Sequence, residues 1–231
     1  MNLYFLVECL TERKLYPKWL ECLLPSFTRV FSPGEAYENN YYLISGGGFP
    51  SLLDNHLTSS VQDIADSGNY DYLILALDAD EMAVHDKVEE VTARLADESM
   101  TLYPCELKIV IQNRCIETWL LGNRIVFSRN PTAEALIGCI RFYNVFDNDP
   151  ELMFKPVTFE ESVSTFHYEY LRVMLAERNI RYSKKYPKDA LEPYYVEQLK
   201  NRLRQTPGHL NTLEDFFDFC TSIKRRTEQN I

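Results

Sequence analysis

Tyr72-Leu73-Ile74-Leu75-Ala76-Leu77-Asp78-Ala79-Asp80-Glu81 decides how this chain is read. Its unbroken apolar run, with no polar alternation, describes a strand buried on both faces, the situation of a central strand in a parallel sheet. Acidic residues follow at once, with no turn residue between. Ligands of parallel α/β sheets bind just beyond the carboxyl ends of the strands, so Asp78 and Asp80 stand where chemistry is expected.

The same pattern recurs on both sides. Leu3 to Val7 is a second continuous apolar run, and Glu8 follows it directly. Thr11 is placed to cap a helix whose apolar face is Leu15, Trp19, Leu20, Leu23 and Leu24, ending before Pro25. Tyr41 to Ser45 reads as a strand closed by Gly46-Gly47-Gly48, and Pro50 or Ser51 opens a helix with Leu52, Leu53, His56, Leu57, Val61 and Ile64 inward. Val84, Val88, Val91 and Leu95 recur at helical spacing over 82–96, Leu107 to Gln112 is a further strand, and a helix carrying Glu117 and Trp119 comes next. Strands alternating with helices predict an α/β fold with a parallel sheet flanked by helices. Beyond about residue 125, Pro131, Pro150 and Pro156 punctuate short segments, and helices are predicted over 159–178, 190–204 and 212–225. The expected organisation is a metal-binding domain over 1–125 and a mainly helical C-terminal region over 126–231.

Composition narrows the function classes. A hydrophobic share of 45% and a charged share of 25% are those of a globular chain of 231 residues. The start lacks the basic segment of a signal peptide, and no run approaches the ~18 apolar residues of a membrane span, so a cytoplasmic protein without a membrane partner is expected. Six cysteines without a CxxC pair and without histidines at zinc-ligand spacing read as reduced, mostly buried thiols. A net charge of −10 argues against nonspecific coating of nucleic acid, which depends on Lys and Arg displacing counterions. Between Arg172 and Arg204, however, nine basic residues face four acidic ones, and Tyr182, Tyr186, Tyr194 and Tyr195 interleave with them. That window, with Lys184, Lys185 and Lys188 at its centre, is the candidate nucleic-acid surface.

Glu8, Asp78, Asp80 and Glu117 all follow strands, and carboxylates gathered at one sheet edge repel one another unless a cation neutralises them. Oxygen ligands of this kind suit Mg²⁺ or Mn²⁺. Each signal has a bland alternative: an Asp after a strand often caps the next helix, Glu12 suits a helix N-terminus, a glycine run is usually a turn, and Trp119 suits a core. His56, His85, His167 and His209 form no recognisable catalytic pair.

Leu6-Val7-Glu8-Cys9-Leu10-Thr11-Glu12 resembles the glutamate motif of Toprim domains, and Leu77-Asp78-Ala79-Asp80-Glu81 resembles their DxD motif. Cys115-Ile116-Glu117-Thr118-Trp119-Leu120-Leu121 looks like the E-x-W-L-L segment of Toprim-like families that include the RloB-like group. The resemblance spans 2–122 and then fades to the neighbourhood of Lys184-Lys185-Tyr186. It implies Mg²⁺-dependent phosphodiester chemistry, as in topoisomerases, primases and nucleases related to the OLD family. Carried over, Glu8 would be a metal ligand or general acid/base, Asp78 and Asp80 metal ligands, and Glu117 a supporting ligand or water-orienting group. Relatives usually have Gly where this chain has Cys9, which narrows the approach of a phosphate.

The leading expectation is a metal-dependent Toprim-like nuclease acting on DNA or RNA, with anti-phage defence as an analogy from the family. A catalytically silent Toprim-like sensor or assembly subunit is the second, and a metal-dependent nucleotide-sugar transferase, which gives Glu8 no role, the third. No G-x-x-x-x-G-K-[ST] motif occurs, so any ATP dependence would come from an ATPase partner; a homo-oligomer is the other assembly considered.

Overall fold

The computed structural model describes residues 1–97 and 102–229. In chain order its strands are β1 (Asn2–Val7), β2 (Thr28–Val30), β3 (Asn40–Ser45), β4 (Tyr72–Asp78) and β5 (Glu106–Gln112). The helices are α1 (Leu10–Leu23), α2 (Thr58–Ser67), α3 (Val84–Asp97), α4 (Ile116–Leu120), α5 (Glu134–Phe142), α6 (Val163–Ala176), α7 (Pro193–Gln205) and α8 (Asn211–Gln229). A π-helical turn, Leu52–Leu57, leads into α2. Among the described residues, no helix is long and apolar enough to cross a membrane.

The chain divides into two compact units. The first comprises 1–77, 83–111 and 215–231, and the second 78–82 and 112–214. This is not a single cut near residue 125, because the aromatic residues of α8 belong with the sheet: Phe216 meets Tyr16, Phe217 meets Trp19 and Phe219 meets Tyr72 with ring centroids 5.1, 6.1 and 5.4 Å apart.

In the first unit the five strands form a parallel sheet in the order β2-β3-β1-β4-β5. Every residue of β1 and β4 is buried, which explains their lack of polar alternation: both faces of these central strands are covered. Successive side chains alternate between faces. Tyr4 turns to α2, where its hydroxyl donates to Asp63 at 2.8 Å, whereas Phe5 turns to α1 and packs on Tyr16. The chain leaves β1 toward β2 on one side and leaves β4 toward β5 on the other. Right-handed crossovers then put α1 and α3 on opposite faces, and β1 and β4 flank the topological switch point of the sheet.

The second unit is helical. Trp119 on α4 is fully buried, as a core anchor should be, and its indole donates to the Thr212 hydroxyl at 2.8 Å. Ser162 caps α6 by accepting from the Thr165 amide at 3.0 Å. Helix α5 has no start signal in its own sequence. The residue before it, Ala133, has no capping oxygen, and the Glu177 carboxylate accepts instead from the Thr132 and Ala133 amides at 2.7 and 3.2 Å.

Candidate functional site

In the first unit, Glu8 is the residue after β1. Its amide still donates to the Ala76 carbonyl of β4 at 3.0 Å, so it sits one step beyond the β1–β4 ladder. It is 6% exposed, and Oε1 accepts from the Phe49 amide at 3.3 Å. By strand alternation Glu8 continues the face of Tyr4 and Leu6. Cys9 has φ −123° and ψ 177°, ordinary extended backbone, so nothing in its conformation calls for the glycine of the Toprim pattern. Glu12 lies buried in the first turn of α1.

The glycine run is a turn tied to β1. Gly46 donates to the Val7 carbonyl at 2.8 Å and Gly48 to the Glu8 carbonyl at 2.9 Å, which consumes the amides a phosphate cradle would need. Gly46 is also sterically obligatory, since a Cβ there would stand 2.5 Å from Leu52 Cβ.

Lys87 escaped the sequence reading. It is 3% exposed on α3, its ammonium lies over the Phe49 ring at 3.1 Å from the centroid and pairs with Glu90 at 3.1 Å. A signal existed: Lys87 falls among Val84, Val88 and Val91 on the inward stripe, an unusual place for a cation.

Asp78 is the last residue of β4 and is 7% exposed. The following peptide keeps strand contact, with Ala79 donating to the Gln112 carbonyl at 3.0 Å. The chain then turns: Asp80 adopts a φ of 50°, tolerable for Asp and rare for most other residues. Its amide donates to the Arg114 carbonyl at 2.9 Å, and Arg114, itself at φ 69°, returns its guanidinium to the Asp80 and Met82 carbonyls at 3.1 and 3.3 Å. The Asp80 carboxylate is exposed, with Oδ1 accepting from the Ser164 hydroxyl at 2.7 Å, while Glu81 accepts from Val163, the first amide of α6, at 2.9 Å. The acidic loop therefore does cap a helix, but one over eighty residues ahead rather than the next in sequence.

Glu117 is enclosed completely, and Oε1 accepts from the Tyr182 hydroxyl at 2.9 Å. Burial, and next the Glu117 carboxylate, push the Tyr182 phenol far up. Burial also raises the Cys115 thiol, with Glu117 and then Asp78 adding to the effect, so Cys115 is an inert thiol lying in the field of both carboxylates. His167 is a satisfied core histidine. Burial lowers it to about 4, and since the Met153 carbonyl can only accept, Nε2 donates to it at 3.0 Å and Nδ1 accepts from Thr118 at 2.7 Å.

The basic window is not one surface. Arg202 is 1% exposed and spends its guanidinium on the Phe146 and Asn148 carbonyls at 2.7 and 2.8 Å. Arg172 pairs with Glu169 and Lys200 with Glu197. Lys184 and Lys185 occupy the tip of a two-residue turn closed by Ser183 and Tyr186, and they and Lys188 are exposed.

Among the described residues, no group of three or more His, Cys, Asp and Glu is gathered closely enough to hold a metal ion. No family model, curated protein or solved structure matches the chain.

Proposed function

We propose that this chain is a Toprim-like, divalent-metal-dependent phosphodiester hydrolase acting on DNA or RNA. The observation that carries the reading is the switch point: Asp78 closes β4, the parallel neighbour of β1, and Glu8 follows β1. The donor set fits Mg²⁺ or Mn²⁺ in kind, since all the candidates are carboxylates. A Mg²⁺ site needs only one or two of them, with water and substrate phosphates completing the shell, so a ready-made three-carboxylate cluster is not a requirement.

In this reading Asp78 and Asp80 hold the metal. Asp80 keeps one oxygen on Ser164 and offers the other. When bound, the ion would lower the pKa of water and stabilise charge on the phosphate. Glu8, whose carboxylate the Phe49 amide holds, would be a metal ligand or general acid/base, as the resemblance implies. Glu117, enclosed with Tyr182, would act as a supporting carboxylate without touching substrate. Lys184, Lys185 and Lys188 hold the strand.

The test is Asp80→Ala against wild type on single- and double-stranded DNA and RNA with Mn²⁺ or Mg²⁺ and an EDTA control. The carboxylate gives up one hydrogen bond and Ala tolerates the φ of 50° less well than Asp, so folding should survive at a cost of about 2 to 3 kcal/mol, while cleavage should fall by about two orders of magnitude or more. Equal cleavage by both proteins would assign the activity elsewhere. The silent sensor reading, favoured by the lack of a gathered carboxylate group among the described residues, expects no cleavage by wild type on any substrate. The transferase reading expects turnover of a UDP- or GDP-sugar that is indifferent to Glu8→Gln.

A further inference from the structure

Three arginines of the second unit converge on a cleft of about 640 Å³, within the size range of small-ligand pockets. Arg124 and Arg129 come from the segment after α4, and Arg178 from the end of α6; Phe146, Ser128 and Gln205 join them. We propose that this cleft is a phosphate-binding site.

The guanidinium groups of Arg124 and Arg178 are held by neutral oxygens. Arg124 donates Nε to the Phe146 carbonyl at 2.8 Å and Nη1 to Gln205 Oε1 at 3.4 Å. Arg178 donates Nε and Nη2 to the Val126 and Phe127 carbonyls at 3.3 and 2.9 Å. Arg124 and Arg129 both lie over the Phe146 ring, at 5.2 and 4.5 Å from its centroid. Every one of these anchors is uncharged. They fix the orientation of the arginines and leave their charge unneutralised, and among the described residues none of the three is ion-paired with a carboxylate.

Two acidic groups are near enough to be felt, Asp147 by Arg124 and Glu177 by Arg178. Both are engaged elsewhere, Asp147 by the Asn144 side chain at 2.7 Å and Glu177 by Thr132 and Ala133. A chain with 34 acidic residues had ample means to neutralise three clustered arginines. Convergent like charges are unfavourable until an anion arrives, and planar guanidinium forks with Arg124 Nη2, Arg178 Nη1 and all of Arg129 left over match the several oxygens of a phosphate. Burial lowers the Arg124 pKa, a desolvation cost that a bound anion offsets.

The phosphate has two sources, a free or terminal phosphate and the backbone of a nucleic-acid strand. Their shared chemistry defines the site, and it stands independently of the acidic residues and of any hydrolysis. The experiment therefore runs in EDTA, with the whole protein, and measures binding of inorganic pyrophosphate by calorimetry and of one single-stranded oligonucleotide in 5′-phosphate and 5′-hydroxyl forms by fluorescence anisotropy. Arg129→Gln is the primary variant, because Arg129 makes only a ring contact and its loss should leave the circular dichroism spectrum and melting temperature unchanged. It should weaken binding by about tenfold or more, the loss expected for one charge-assisted hydrogen bond. Arg129→Glu should abolish it, and Arg141→Gln, outside the cleft, should not change it. Pyrophosphate binding that competes with the oligonucleotide, or tighter binding of the 5′-phosphate form, assigns a free or terminal phosphate. Equal binding of both oligonucleotide forms with no response to pyrophosphate assigns the backbone. Binding of no probe, or binding that Arg129→Glu leaves intact, overturns the proposal.

Discussion

Replacing Glu151 with Gln should make this protein more stable at alkaline pH and change it little in acid. Glu151 is 4% exposed, and its carboxylate accepts from the Thr212 hydroxyl at 2.5 Å and the Thr212 amide at 3.1 Å. The Thr212 hydroxyl in turn accepts from the Trp119 indole at 2.8 Å and the Asn113 amide at 3.3 Å. Burial pushes the Glu151 pKa up to about 7, against the opposing pull of the Thr212 hydroxyl. The sign follows from the folded pKa lying above the unfolded one. Below the unfolded value both states hold the proton and no stability is lost; as pH rises toward 7 the unfolded state gives it up first, and stability declines until the folded carboxyl also ionises. Moving a carboxyl from 4.5 to about 7 corresponds to about 3 kcal/mol, of which about 2.5 kcal/mol should be lost between pH 5 and 8. A glutamine carbonyl can accept both Thr212 bonds and never titrates. Urea unfolding of both proteins at pH 5, 6, 7 and 8 should show the variant gaining on wild type by about 2 to 3 kcal/mol across the series, with other titrating groups cancelling in the difference. A gap that stays constant with pH would refute the reasoning.

Gly46→Ala should cost about 1 to 3 kcal/mol, because the new Cβ overlaps Leu52 and both neighbours belong to tightly built backbone, while Gly34→Ala, with nothing within 4 Å, should be near neutral; urea midpoints compare the two. Changing Lys184, Lys185 and Lys188 to Ala should weaken nucleic-acid binding alike across sequences and reduce the slope of log affinity against log salt by about one for each phosphate no longer neutralised, whereas an unchanged slope returns that turn to a solvated role.

The strands and most helices are written in local patterns because the physics behind them is local. The continuous apolar runs of β1 and β4 predict central strands, and the stripe Val84, Val88, Val91, Leu95 predicts α3, since burial on one face or both imposes a period that neighbouring residues must obey. The position of Glu8 and Asp78 at strand ends follows from the same runs. That β1 and β4 are neighbours was decided by the order of the sheet, which depends on how crossovers pack and not on any one segment. Polar partners were decided further still from the local pattern. Glu177 caps α5 from over forty residues away, and Thr212 meets Glu151 and Trp119 across 61 and 93 residues. A buried polar group takes whichever complementary group the fold brings within about 3 Å, and sequence separation has no part in that choice. Lys87 and Arg202 show the consequence: charge in the sequence suggests solvent, yet a ring and an ion pair in one case, and two carbonyls in the other, make the interior tolerable. The arginine cleft belongs to the same class, because Arg124, Arg129 and Arg178 carry no shared motif and acquire a common ligand chemistry only where folding sets them around Phe146.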